Sequence, residues 1–232
     1  MNRTNTAASR GNQQSIVNAS APKERPILFS APMVRAILDG RKTQTRRIMK
    51  QQPDTIVGDG EKITGAGWWY EKGQFRLNRL TVANFLCQYG KVGDRLWVRE
   101  KCRVASVTSG GPNAWYAMEY AAGGGGHIQH GEIPGKKFPS RSHNVDQSLR
   151  WQPSIHMPRW ASRITLEITD IRVEQLRSIT VGESINEGIT IQDCRRVNGS
   201  AVDAFRELWE SISGKESWDA NPWVWVVEFK RV

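Results

Sequence analysis

The 232-residue chain carries 33 Lys and Arg against 23 Asp and Glu, a formal net charge of +10, together with ten Trp and a mean hydropathy of −0.54. Its longest apolar stretch, Trp223 to Val227, is far short of the roughly 20 residues that a bilayer crossing needs. Cys87, Cys102 and Cys194 contain no CxxC pair and make neither a disulfide framework nor a zinc ribbon, and the first residues lack an apolar signal-peptide core, so a reducing, cytoplasmic setting is expected.

Residues 1–25, rich in Asn, Ser, Ala, Thr and Gln, read as a disordered leader. Order is expected from Pro26, with Ile27 to Phe29 a buried strand. Ser30 then caps a brief helix, Met33 to Leu38, with Pro32 in its first turn and Gly40 at its end. Lys42 to Met49 reads as extended chain, with Thr43, Thr45 and Arg47 on one face and Gln44, Arg46 and Ile48 on the other. An insertion at about 51–90 holds a hairpin around Trp68, Trp69, Tyr70 and Phe75. Strands are expected at Leu96 to Val98, Cys102 to Val107 and Trp115 to Tyr120. A second insertion, about 121–150, reads as a flexible loop because Gly123 to Gly126 run in series. His127 and His130 lie there without a helical scaffold, so no metal site is expected.

Trp151 to Trp160 is stiffened by Pro153 and Pro158, and Arg163 to Val173 alternates like a half-buried strand with one slip. Thr180 and Glu183 spell a capping box for a short helix that Gly188 ends. Val202, Phe205, Leu208, Trp209 and Ile212 recur at helical spacing. Trp223 to Lys230 is the strongest strand signal, with Trp223, Trp225, Val227 and Phe229 on one face. Six or seven strands and three short helices with little βαβ rhythm indicate an α+β chain: one domain over 26–232, a small mixed β-barrel decorated by short helices. Positive charge beside flat aromatic faces suits a nucleic acid or nucleobase partner.

The stretch from Ile37 to Arg47 resembles the signature of the ASCH family, a branch of the PUA-like barrels, whose usual pattern after the first helix is Gly-x-Lys-x-x-Glu-x-Arg. Here it reads Gly40, Lys42, Thr45 and Arg47. The Thr in place of Glu resembles the small bacterial ASCH enzymes that remove the acetyl group from acetylated cytidine. Gly93 to Trp97, Thr180 to Ile189 and Trp223 to Lys230 resemble the family's turn and strand, second helix and closing strand. The segment Ser154 to Trp160 is similar to one in longer, phage- or prophage-borne members.

The resemblance implies a PUA-like barrel and a catalytic set of Lys42, Thr45 and Glu187, with no cofactor. Thr45 would supply a hydroxyl nucleophile. Lys42 would act as base once its pKa is lowered, and Glu187 would position it or pass the proton to the leaving amine. Around them Arg41 and Arg47 are candidates for substrate contact, Arg47 either holding a phosphate or pairing with Glu100. His156, Arg159 and Trp160 could line the same pocket, Trp160 stacking a base while Arg159 meets phosphate. The expected partner is a nucleoside or RNA, or DNA with modified bases; the oligomeric state is left open. The alternatives to an amidohydrolase are a non-catalytic module for RNA or a modified base and, third, a single-strand ribonuclease.

Overall fold

The first described strand begins two residues before the expected start at Pro26: β1 spans Glu24–Leu28. The structure, a computed structural model, describes residues 21–50, 52, 55–57, 63–64, 67–71, 74–78, 87–107, 115–129 and 150–232. The leader up to residue 20, His130 and the rest of the second insertion to residue 149 lie outside the described residues.

Ser30 N-caps α1 (Ala31–Leu38) with Pro32 in its first turn, where a missing N–H costs no hydrogen bond. Gly40 takes φ +73°, which lets the chain reverse into β2 (Gln44–Ile48). The first insertion supplies β3 (Thr55–Val57), β4 (Ile63–Thr64), β5 (Gly67–Glu71) and β6 (Gln74–Asn78); β5 and β6 pair antiparallel as a hairpin. Then come β7 (Arg95–Arg99), β8 (Cys102–Val107), β9 (Trp115–Tyr120) and β10 (Gly125–Gln129). Two 3-10 turns, Ser154–His156 and Arg159–Ala161, precede β11 (Thr165–Gln175). The last elements are α2 (Val181–Asn186), α3 (Ile191–Val197), α4 (Ala201–Ser213) and β12 (Trp223–Arg231).

Two elements depart from the sequence expectation. The Gly123 to Gly126 run is half turn and half strand: Gly123 (φ +94°) and Gly124 (φ +76°) make the bend, and Gly125 begins β10, paired with β9. Positive φ at two successive glycines builds a hairpin as readily as a linker. The unexpected α3 is opened by a capping box between Thr190 and Asp193, and its apolar Ile191, Cys194 and Val197 recur every third residue.

The main sheet runs β1-β7-β11-β12-β2, with β4 also paired to β11; β10-β9-β8 and β3-β6-β5 are separate sheets. Only β1 and β7 pair parallel in the main path; its other ladders are antiparallel. These ladders leave the main sheet open, so the described strands form no closed barrel. Its two edges are nevertheless linked through a side chain: Arg47 of β2 donates from Nη2 to the Leu28 carbonyl at the end of β1, 2.7 Å away. The eight-residue α1 lies between these two strands in sequence, and a single arginine hydrogen bond stands at the seam in place of a backbone ladder.

The expected slip in β11 is a β-bulge. Ile168 registers with Phe229 and Asp170 with Glu228, which leaves Thr169 as the extra residue. The bulge carries Ile171 and Val173 to the same face as Leu166 and Ile168. All four join Phe29, Ile37, Leu96, Trp225, Val227 and Phe229 in the main core. On the opposite face Val224 and Val226, both fully buried, meet Leu176, Phe205, Trp209 and Trp218 beneath the helices. Each aliphatic side chain so buried contributes about 1.5–3 kcal/mol, and the layer they form encloses the site.

Candidate functional site

The helix-facing side of the sheet is not uniformly apolar. Parity places Gln44 and Arg46 of β2 on it, with Arg172 and Glu174 of β11, and Arg46 and Arg172 register on either side of Val226. Glu183 of α2 and Glu187, the C-cap of that helix, come down onto them. Arg46 Nη2 lies 3.0 Å from Glu174 Oε2 and 3.4 Å from Glu183 Oε2, and its Nη1 lies 3.4 Å from Glu187 Oε1. Arg172 bonds Glu174 Oε1 at 2.6 Å and Glu183 Oε1 at 2.9 Å, and reaches outward to Glu228. At the other end Lys42 Nζ donates to Glu187 Oε2 at 2.7 Å and to the Glu187 carbonyl at 2.9 Å. Three cations therefore alternate with three carboxylates. Taken singly, each such charge would cost several kcal/mol to bury; alternation is what makes the layer tolerable.

Local sequence explains how the helix delivers these carboxylates. A six-residue helix is marginal alone. The Thr180 hydroxyl accepts from the Glu183 N–H at 3.3 Å, while Glu183 Oε2 accepts from the Thr180 N–H at 2.8 Å and hydroxyl at 2.9 Å. Burial works against ionisation of Glu183, but the Thr180 N–H and hydroxyl, with Arg46 and Arg172, hold its carboxyl at about 2. The helix ends at Gly188 (φ +100°), where a Cβ would stand 3.0 Å from Ala36 Cβ and 3.3 Å from Lys42 Cβ. Only glycine lets α2 approach α1 this closely.

Lys42 belongs to the turn after α1, its N–H bonded to the Ala36 carbonyl at 3.0 Å, while the Thr43 N–H bonds the Asn186 carbonyl at 2.9 Å. The Lys42 side chain is 0% exposed and that of Glu187 is 4% exposed. Burial pushes the Lys42 ammonium below the ordinary lysine range; Glu187 draws it partly back, and Arg47 and Arg46 push it further down. Burial lowers Arg47 in the same way. The Phe29 ring lies under both cations, 5.8 Å from Lys42 Nζ and 5.2 Å from Arg47 Cζ.

Of the expected catalytic set, Lys42 and Glu187 are in direct contact. Thr45 is buried and registers opposite Val227, so by alternation it shares the Arg47 face of β2 rather than the Gln44–Arg46 face. Phe29 lies where that face meets the Lys42 ammonium. Arg41 stands beside the pair, bonded to Asp39 at 2.9 Å and to the Gly188 carbonyl at 3.1 Å. Arg47 does not pair with Glu100, whose carboxylate takes a two-pronged bond from Arg163 at 2.8 and 3.0 Å.

The residues of the Pro-bracketed loop stand elsewhere. His156 is exposed. Arg159 is held by Glu24 at 2.8 and 3.2 Å and lies 5.9 Å above the Trp97 ring. Trp160 packs half-buried against Cys102, Met118, Tyr120, Met157 and Ala161. None of the three contacts Lys42 or Glu187, because the loop folds over β7 and β8.

The sequence reading gives no site role to Arg172, Glu174 or Phe29, and to Arg46 only that of a neighbour lowering the Lys42 pKa. The available signal was a pair of opposite charges two residues apart in a strand otherwise apolar at those depths. Gln44 Oε1 and Arg46 Nε are buried without a hydrogen-bond partner among the described residues, an acceptor and a donor on one strand face. Outside the ion pair, a groove of about 190 Å³ runs between α1 and the α3–α4 pair, walled by Met33, Ala36, Glu187, Gly188, Arg196 and Leu208.

Comparison with protein-family models, with curated proteins and with solved structures finds no match to the chain. Among the described residues no helix is long and apolar enough to cross a membrane.

Proposed function

We propose that the chain is a PUA-like ASCH protein working in the cytoplasm on nucleobases, as an amidohydrolase that removes an acyl group from a cytidine-like substrate. The observation that carries this is the buried Lys42–Glu187 pair, a lysine stripped of water and held 2.7 Å from a carboxylate whose residue lines a groove. A lysine whose proton is destabilised by burial is the form in which this side chain serves as a base at neutral pH. The groove, at about 190 Å³, is below the roughly 300–1,000 Å³ of sites for drug-sized ligands. It suits a single base or its acyl group, not a length of polymer.

In this scheme the Thr45 hydroxyl adds to the acyl carbon and its proton passes to Lys42. The C–N bond then breaks as the amine takes a proton from Lys42, relayed with Glu187, and water releases the acid from Thr45. Incubation of the full chain with acetylated cytidine should yield cytidine and acetate by chromatography, and Lys42→Ala should abolish the yield. Absence of turnover on every acylated pyrimidine nucleoside tried would retire the amidohydrolase.

A further inference from the structure

Chain parity through β7 and into β8 sorts its residues sharply. Leu96, Val98, Glu100 and Cys102 are all buried, at 0, 1, 1 and 3% exposure. The alternate positions carry Arg95, Trp97, Arg99, Lys101 and Arg103, four cations on the side turned away from the core and a tryptophan that is itself buried, at 9% exposure. Same-face positions on extended chain recur about every 6.6 Å, so this is a regular cationic stripe.

Two tryptophans are built into it. The Trp97 ring lies under Arg99 and Arg159, 4.9 and 5.9 Å from its centroid. Trp151, from the stiff Pro-bracketed loop, lies under Arg103 and Lys101 at 4.9 and 5.9 Å and remains 38% exposed. The carboxylates nearby are already matched: Glu119 binds Arg103 at 2.6 Å, and Glu24 binds Arg159 at 2.8 Å. Among the described residues neither Arg99 nor Lys101 is ion-paired to a carboxylate.

We infer that this stripe is a docking surface for single-stranded nucleic acid, with the backbone phosphates on Arg99 and Lys101 and a base stacked on Trp151. The occupant follows from the chemistry. The cations need an anion repeated along a line, and the exposed indole needs a flat apolar face, which single strands offer and duplexes keep stacked inside. The surface lies on β7, β8 and the 150–160 loop, on other elements than those that carry the Lys42–Glu187 pair. The inference does not depend on any hydrolase activity.

The test is fluorescence anisotropy of the full chain with labelled 15-nucleotide oligo(U), oligo(dT) and a duplex of equal length. Both single strands should bind more tightly than the duplex, and a preference between them would tell RNA from DNA as the natural ligand. Trp151→Ala should weaken single-strand binding roughly 5- to 100-fold, as loss of one stacked base does. The double variant Arg99→Gln with Lys101→Gln should flatten the plot of log affinity against log salt by about 1.4, at roughly 0.7 per phosphate contact. The thermal melt of Trp151→Ala should match the parent, since that side chain is exposed; the double variant gives up the 3.0 Å bond from Arg99 Nε to the Met157 carbonyl, so its binding is measured well below its own melting midpoint. Equal affinity for the duplex, unchanged affinity in Trp151→Ala, or an unchanged salt slope in the double variant would each overturn the assignment. So would loss of binding on replacing Arg3 and Arg10 of the leader alone.

Discussion

Replacing Arg46 by Met keeps the unbranched stem of a side chain that is 0% exposed and removes the one cation touching all three buried carboxylates, at 3.0, 3.4 and 3.4 Å. At an effective dielectric of 20 each such contact is worth about 5 kcal/mol of gross attraction. Little of that sum can appear as lost stability. The guanidinium's own desolvation disappears with it, and one carboxylate can relieve the repulsion by taking up a proton. Protonating a carboxyl of ordinary pKa near 4.3 at pH 7 costs about 3.7 kcal/mol, which sets a ceiling inside the roughly 3–5 kcal/mol seen when buried pairs are broken. The ceiling falls by about 1.4 kcal/mol per pH unit, to about 1 kcal/mol at pH 5. The sign is fixed: carboxyls raised in the folded variant bind protons there first, so the deficit relative to the parent grows with pH. Urea unfolding of parent and Arg46→Met at pH 5, 6 and 7, followed by far-UV circular dichroism, reads it directly. A deficit that stays level across these pH values, or one under 1 kcal/mol at pH 7, would refute the idea that Arg46 is needed for its charge.

Glu187→Gln should give the mirror result. It strands the Lys42 ammonium, so the variant is about 3–5 kcal/mol less stable at pH 7 and the deficit shrinks as pH rises toward 10, where the unfolded lysine also loses its proton; a gap that widens on the alkaline side would contradict this. Gly188→Ala should cost about 1–3 kcal/mol for the forced positive φ, with crowding of Ala36 and Lys42 added, measured as a lower thermal midpoint; an unchanged midpoint would mean that α1 and α2 can part without loss. Because Glu183 titrates at about 2 when folded and near 4.3 when unfolded, its contribution is complete above the unfolded value and is lost as pH falls between the two. Acid melts of Glu183→Gln should therefore show a shallower decline below pH 4.5 than the parent, and parallel curves would count against the assignment.

Where spacing alone decided the structure, the sequence was legible. The Thr180–Glu183 capping box, the end of the helix at Gly188, the slip in β11 and the two-faced closing strand are all matters of period and cap, and each can be read from neighbours. Lys42 and Glu187 were paired by a resemblance rather than by any local rule, and they do touch. Arg46, Arg172 and Glu174 were illegible for a physical reason. A charged residue in a strand is ordinarily read as solvent-facing, and only the partners brought in from 128 positions away in sequence make its burial affordable. The same holds for Thr45, whose face of β2 is set by pairing with β12. Glycines 123–126 misled because composition does not distinguish a bend that closes a hairpin from slack chain.

Thr169 works on β11 much as a shifted reading frame works on a message. Before it, even-numbered side chains enter the main core; after it, odd-numbered ones do. Flattening the bulge, so that Thr169 took a regular place in the ladder, would send Arg172 and Glu174 into the oily interior and swing Ile171 and Val173 out against Glu183. The ion-paired layer exists only because the extra residue is taken up out of register at that point.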